Sequence, residues 1–325
     1  MFFTLAFFSL LIERLCGYPQ WLVRTIGHPV IWIGNMIGGL DKRLNRPEQS
    51  FARRKMMGVV ALICILGSVI VVTAGLGWLL GGSLVDFAVL AVIASSLTAQ
   101  KSLEDHVLAV ADALDADGLV AGRKAVSMIV GRDPDQLDEP AVCRAAIESL
   151  AENFSDGITA PALWLGIGGL AGGAAYKATN TADSMIGHRS ERYEAFGWAA
   201  ARFDDLINLP ASRLTALLFV LAAFFVPGAS AKDAWKTVWR DAGKHRSPNA
   251  GWPEAAMAGA LGLALAGPRV YGGTLVPDHF MGAGGRREAM PTDIRKALKL
   301  ARFADILMIA FFGLLALAGL AISRA

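Results

Sequence analysis

From Met56 to Gly82 the chain carries no charged residue in 27 positions. A helix rises about 1.5 Å per residue, so roughly 20 apolar residues cross the hydrocarbon of a bilayer. This run is long enough to do so. Ser83 to Gln100 follows at once, with Asp86 near its start, and reads as the second arm of a helical hairpin with its tip at Gly81-Gly82. Ile158 to Tyr176 is uncharged and glycine-rich, while Leu214 to Ala231 and Ile306 to Ile322 are further apolar stretches. Met1 to Ile12 is apolar but short. With no basic stretch before it and no small-residue cleavage site after it, it reads as a retained first helix. Convincing period-2 strands are absent. The sequence therefore predicts an all-α, polytopic integral membrane protein with five or six membrane-embedded helices, near 1–12, 56–82, 83–100, 158–176, 206–231 and 306–322. Residues 1–325 read as a single membrane-embedded domain, with 101–155 as a helical layer on the cytoplasmic side. Asp138-Glu139-Pro140 marks a helix start in that layer.

Composition agrees. Hydrophobic residues make up 54% and charged residues 18%, below the quarter typical of soluble domains. A net charge of +3 is too mild for a nucleic-acid partner, and it matters more for topology. With the N-terminus outside and all six segments crossing, the inside loops carry 25 Lys/Arg and the outside stretches six, which obeys the positive-inside rule. Cys16, Cys64 and Cys143 are odd in number and widely spaced, so neither a disulfide framework nor a zinc site is expected.

Three polar stretches stand against this background. In 144–157 Glu148, Glu152 and Asp156 follow at steps of four. On an unbroken helix they share one face, where their mutual repulsion is tolerable in water or around a cation such as Mg²⁺. In 176–193 Asn180 and Asp183 are three apart, with Lys177, His188, Arg189 and Arg192 close by. Carboxylate and amide oxygens beside Arg and Lys suit a Mg²⁺-bound phosphate. Arg202-Phe203-Asp204-Asp205 adds an acidic pair at the edge of an apolar segment. In 240–254 His245, Ser247, Asn249 and Glu254 lie among Pro248, Gly251 and Pro253, a composition that reads as a structured loop. His28-Pro29 reads as structural. The plain alternatives are a solvated helix face, an ion-paired loop and a connector.

The runs SMIVGRD (127–133), ESLAENFSDG (148–157), NTADSMIGHRSERY (180–193), GWAAARFDDL (197–206) and HRSPNAGWPEAAMAGALG (245–262) resemble, together and in order, the CobD/CbiB family of cobalamin biosynthesis. HPVIWIG (28–34) and AGPRVYGG (266–273) are similar to it as well. The 13–18 segment departs from the family pattern at Glu13 and Tyr18. The resemblance implies a membrane enzyme, an ATP-dependent acid-amine ligase. It would join adenosylcobyric acid to (R)-1-aminopropan-2-ol or its O-phosphate, with ATP as co-substrate and Mg²⁺ as cofactor. The implied partners are the corrinoid, aminopropanol phosphate, the lipid bilayer and other membrane enzymes of the pathway. The implied location is the bacterial inner membrane, with the active site facing the cytoplasm, where ATP is available. The site expected on this basis has Glu148, Glu152, Asp183 and His188 as catalytic groups. Lys177, Asn180, Arg189, Arg192, His245, Ser247, Asn249 and Glu254 would hold substrate and phosphate, and Glu152, Asp156 and Asp183 the metal, all around one cavity.

No phosphate-binding loop of the form G-x-x-x-x-G-K-S/T is present, so the sequence does not reveal how ATP is held. A Mg²⁺-dependent prenyl- or phosphatidyl-type transferase is the main rival. A transporter is disfavoured, because the charged motifs lie between the apolar segments. Simple alternation puts 177–213 outside, against the chemistry. Ile158 to Tyr176 contains five glycines and is expected to break or pack closely, returning 177–205 to the cytoplasmic side.

Overall fold

The computed structural model describes residues 2–19, 24–25, 27–131, 134–267, 269–271, 274–276 and 278–322. Parts of the runs at 127–133 and 266–273 thus lie outside the described residues. Helix dominates, and five helices are long and apolar enough to cross a membrane: Phe51–Leu79, Leu84–Val126, Glu139–Ile186, Trp198–Ala222 and Pro291–Ile322. The protein is an all-α, multi-pass membrane protein. It forms two compact units, each assembled from segments far apart in sequence.

The first unit comprises Met1–Ala99, Ala160–Asn208 and Phe311–Ala325. Its helices are α1 (Phe2–Cys16), α2 (Pro29–Leu44), α3 (Phe51–Leu79), α4 (Leu84–Ser95) and α7 (Ala160–Ile186). Proline stands in the first turn of α2, where its missing N–H costs nothing, and the His28 ring accepts from the Val30 amide at 3.2 Å. Ser50 caps α3 through the Arg53 amide. Helix α7 packs against α1, α2 and α3. Between hydrocarbon-coated helices association depends on close packing, which small residues permit. Ala61, Ala178 and Ala182 accordingly join Ile33, Ile37, Ile65, Ile186 and Phe196 in one buried cluster. Gly58 sits where a Cβ would lie 1.9 Å from the Phe196 carbonyl oxygen.

The expected interruption of 158–176 occurs at Gly169, whose φ of 61° and ψ of −154° leave the helical region. Close packing occurs too, since a Cβ at Gly166 would meet Phe312 and Phe3. The most apolar window of Glu139–Ile186 is 61% buried inside the protein, against 17% for Phe51–Leu79 and 22% for Pro291–Ile322. The last two therefore present most of their surface outward, to lipid.

The second unit comprises Gln100–Thr159 and Leu209–Ala310. It contains α5 (Gln100–Val126), α6 (Glu139–Phe154), α9 (Ala231–Asp241) and α10 (Gly251–Leu261). Asp138 caps α6 by accepting from the Ala141 amide at 2.9 Å. Four very short strands follow α10: β1 (Leu265–Ala266) pairs antiparallel with β4 (Phe280–Met281), and β2 (Arg269–Tyr271) with β3 (Thr274–Val276). The chain ends in α11 (Pro291–Ile322). Within this unit Arg295 pairs with Asp112 and Asp115 at 2.6 and 2.7 Å, and Gln100 donates to Asp305 at 2.8 Å. Helix α8 (Trp198–Ala222) supplies Asn208 and the residues before it to the first unit, and Leu209 onward to the second.

Several boundaries differ from expectation. The segment expected at 83–100 stops at Ser95, where the Ser96 amide turns back to Ile93 and Ala94, and a new helix starts at Gln100. The one expected at 206–231 ends at Ala222. With 15 residues, α1 falls short of the length a perpendicular crossing requires. Residues 240–254 are not all loop: α9 runs to Asp241, a 3₁₀ turn covers Ala242–Lys244, and α10 starts at Gly251. Pro253 lies in the first turn of α10, where it is compatible with helix.

Gly58→Ala is expected to cost about 1–3 kcal/mol through overpacking, read as a lower melting temperature in detergent. Wild-type melting would show that α3 does not depend on this contact.

Candidate functional site

In the first unit the polar groups gather at the C-terminal turns of α7, the turn that follows, and the start of α8. Tyr176 donates to the Asn208 side chain at 2.8 Å, and Asn208 donates to Asp204 at 2.9 Å. Asn180 approaches the other Asp204 oxygen at 3.5 Å. Asp204 and Asn208 are buried, so this chain of hydrogen bonds satisfies groups that burial would otherwise penalise. Asp183 lies in the electrostatic reach of His188 and Asp205, and Asp205 in that of Arg202 and Arg189. Asn180, Asp183, His188 and Arg189 thus share one neighbourhood with the acidic pair of α8. Tyr176 and Asn208 were missed as site groups. The available signal was the four-residue step from Asp204 to Asn208.

Arg192 has a different occupation. Its guanidinium binds Asp41 at 2.6 Å, and its carbonyl oxygen accepts from Asn45 at 3.0 Å and from Arg54. It clasps the turn after α7 to α2 and α3. Lys177 lies near His28; burial first, and then the Lys177 charge, push the His28 imidazole below its usual range.

In the second unit the α-helix that would carry the three carboxylates does not persist to Asp156. Helix α6 ends at Phe154 and a π-turn covers Ser155–Thr159, changing the rotation per residue. Glu148 is buried and accepts from the Ala266 amide at 2.8 Å. That residue holds a positive φ of 56°, uncommon for alanine. Glu152 is exposed and Asp156 half-buried.

His245, Ser247, Asn249 and Glu254 do come together. His245 Nδ1 faces the Ser247 amide at 3.0 Å and the Ser247 carbonyl at 3.4 Å, so either ring tautomer finds a partner there, and Nε2 is left to face Glu254. That atom stands 3.8 Å from Glu254 Oε1, with side-chain exposures of only 10% and 3%. Ser247 Oγ accepts from the Asn249 and Ala250 amides at 3.2 Å each and so shapes the entry to α10. The Asn249 side-chain oxygen accepts from Ser212 at 3.1 Å and Arg213 at 3.0 Å, and Arg213 lies over the Trp252 ring at 4.4 Å. Ser212 and Arg213 carried no recognisable sequence signal.

Asp241 anchors the neighbouring loop. Its carboxylate accepts from Arg240, from Lys244 and from the Gly282 and Ala283 amides. Burial alone would raise this acid, but the hydrogen bonds outweigh it and bring it down to about 2.

Within either unit, among the described residues, no group of three or more His, Cys, Asp or Glu side chains is arranged to hold a metal ion.

Helices long enough to cross a bilayer define a polytopic membrane protein, and its buried Asp/Asn and His/Glu clusters, costly to bury without a role, mark candidate functional groups. The CobD/Cbib protein family model matches residues 6–301. Cobalamin biosynthesis protein CobD of Rhizobium meliloti (strain 1021) is 54% identical over 296 residues, covering 89% of each chain. The proteins of that name from Brucella suis biovar 1 and Rhodobacter capsulatus are 50% and 46% identical, over 90% and 94% of each chain. No solved structure matches. The chain belongs to the CobD/CbiB family, and its role lies in cobalamin biosynthesis.

The His28 shift sets a pH dependence. The unfolded imidazole titrates near 6.5 and the folded one lower, so the unfolded state takes up the proton first. Stability should fall as pH drops below about 6.5. His28→Asn keeps a capping acceptor without the titration and should flatten that fall in thermal melts between pH 7 and 5. An unchanged slope would remove His28 as its source.

Proposed function

We propose that the protein forms the amide bond between a corrinoid carboxylate, adenosylcobyric acid, and (R)-1-aminopropan-2-ol or its O-phosphate, at the expense of ATP. The observation that carries this reading is the buried His245–Glu254 pair, in a family of cobalamin biosynthesis. A carboxylate is a poor electrophile until activated. Its oxygen attacks the γ-phosphorus of ATP, ADP leaves, and an acyl phosphate forms. The amine nitrogen then attacks the acyl carbon, and inorganic phosphate departs with its electron pair. The ammonium form of the amine must first lose a proton. His245 is suited to accept it at Nε2 in the tautomer whose proton sits on Nδ1, facing the Ser247 carbonyl at 3.4 Å, and the Glu254 carboxylate then stabilises the imidazolium that forms. Asn249, its side-chain oxygen fixed by Ser212 and Arg213, stands beside this pair as a substrate-contacting residue.

The polar groups of the first unit fit the charge side of the reaction. Lys177 and Arg189 oppose phosphate charge. Asn180, Asp183, Asp204 and Asp205 supply hard oxygen donors of the kind Mg²⁺ accepts, and in the second unit Glu152 and Asp156 do the same. Mg²⁺ retains waters and shares substrate phosphates, so one or two carboxylates suffice to hold it. When bound it neutralises phosphate charge. Glu148, with one oxygen on the Ala266 amide, supports the backbone of the β1 segment. The location that accords with ATP use is the bacterial inner membrane, with these motifs facing the cytoplasm.

Purified protein should release phosphate only when ATP, cobyric acid and amine are all present. His245→Asn should lower that turnover by about 10²–10⁴ with the protein still inserted. Turnover with a prenyl or phosphatidyl donor instead of cobyric acid would overturn the reading. Ser190 is exposed in the turn after α7. In a background free of the native cysteines, a cysteine placed there should resist a membrane-impermeant thiol reagent in intact cells and react in inverted vesicles. Labelling in intact cells would sink the cytoplasmic placement.

A further inference from the structure

A cleft of about 600 Å³ opens in the second unit, between α9, the C-terminal end of α10 and the loop 282–285. None of the residues assigned above to the reaction lines it. Six of its sixteen lining residues are glycine, which lets a ligand approach the backbone closely. Glycine content alone proves little, since a Cβ at Gly259 would strike the Asp233 carbonyl and one at Gly282 the Leu263 carbonyl. Packing therefore accounts for those two. Gly284 differs. Its φ is 93°, a Cβ there would meet nothing within 4 Å, and among the described residues nothing accepts from its amide.

Two side chains add to this. Thr237 is 6% exposed, lines the cleft, and its hydroxyl has no hydrogen-bond partner among the described residues. A Cβ at Gly259 would lie 2.7 Å from that oxygen and cover it. Lys236, one residue earlier on α9, also lines the cleft, and no described carboxylate pairs with it. Arg240 stands one turn further on, shared with Asp241 at 2.6 Å. The one carboxylate on the wall, Asp233, is tied to the Ser230 hydroxyl at 2.7 Å in the N-terminal cap of α9. A buried donor hydroxyl, an open backbone amide and an unneutralised ammonium are the complement of a phosphoryl group: oxygens rich in lone pairs, doubly charged, and in need of several donors.

We propose that this cleft seats a phosphoryl group, with Lys236 as its counter-charge and the Thr237 hydroxyl and Gly284 amide as donors. The proposal rests on the reading that the protein acts on phosphorylated substrates. Two sources carry the same chemistry: the polyphosphate of a nucleoside triphosphate and the phosphomonoester of the amino alcohol.

Calorimetry on the full-length protein in lipid nanodiscs separates them. The probes are AMP-PNP with Mg²⁺, (R)-1-aminopropan-2-ol O-phosphate, and the unphosphorylated amino alcohol. Lys236→Ala changes an exposed side chain and leaves packing intact, while Thr237→Val keeps the buried shape. Each should raise the Kd of a phosphorylated probe by about tenfold or more, the usual scale for a hydrogen bond to a charged group, and leave the unphosphorylated probe unchanged. Weakening confined to AMP-PNP makes this the nucleotide seat. Weakening confined to the amino-alcohol phosphate makes it the amine seat. If both variants bind both probes as the wild type does, the proposal is overturned. ATP-dependent amide formation by the wild type, assayed separately, decides the reaction itself. Wild-type protein that forms amide but binds neither probe here would also overturn the cleft and leave the reaction standing.

Discussion

Inside hydrocarbon an unsatisfied backbone amide or carbonyl costs several kcal/mol, so a helix can be interrupted there only where protein or water covers the break. That constraint organises this molecule. Gly169 interrupts α7 in the span that is 61% buried, while Phe51–Leu79, 17% buried, is a single unbroken helix. The Gly169 interruption falls where the protein shields it. Polar side chains follow the same logic. Asp204 is buried within reach of Asn180 and Asn208, and Asn208 in turn receives the Tyr176 hydroxyl. Removing any member would strand the next.

What was legible in the sequence is what local chemistry decides. The uncharged run at 56–82 can be little else than a spanning helix. His28-Pro29 and Asp138-Glu139-Pro140 carry an acceptor next to a proline suited to a first turn, and both became helix starts. Five glycines in nineteen residues announced a break, although which of them would take a positive φ depended on tertiary packing.

What was not legible depends on distant partners. The π-turn at Ser155–Thr159 has no compositional mark; Asn153, Ser155 and Gly157 fit an ordinary helix end equally well. It changes the rotation per residue on which the four-residue step to Asp156 relies. Pro253 read as a breaker because its position relative to the first turn of α10 was not known. Arg192 looked like a phosphate ligand, yet it pairs with Asp41, 151 residues earlier in the chain. Asn249 gains its fixed orientation from Ser212 and Arg213, more than 35 residues away. Each of these requires the fold before the role can be read.

The two polar clusters differ in kind, and the difference bears on the chemistry proposed for them. His188 and Arg189 are exposed, so their neighbourhood is wet. Groups in such a place neutralise charge cheaply, because water lowers the cost of holding several ions together. His245 and Glu254 are almost wholly buried, where an ionic pair costs more and proton sharing between neighbours costs less. Amide formation from an acyl phosphate has both requirements: many charges held on phosphate oxygens, and one proton moved from nitrogen without free exchange with solvent. A wet cluster of mixed charge and a dry histidine–carboxylate pair answer those two requirements separately. A prenyl or phosphatidyl transfer needs the first of them strongly. A phosphatidyl transfer must also take a proton from its acceptor hydroxyl, but neither transfer has an ammonium to deprotonate before attack.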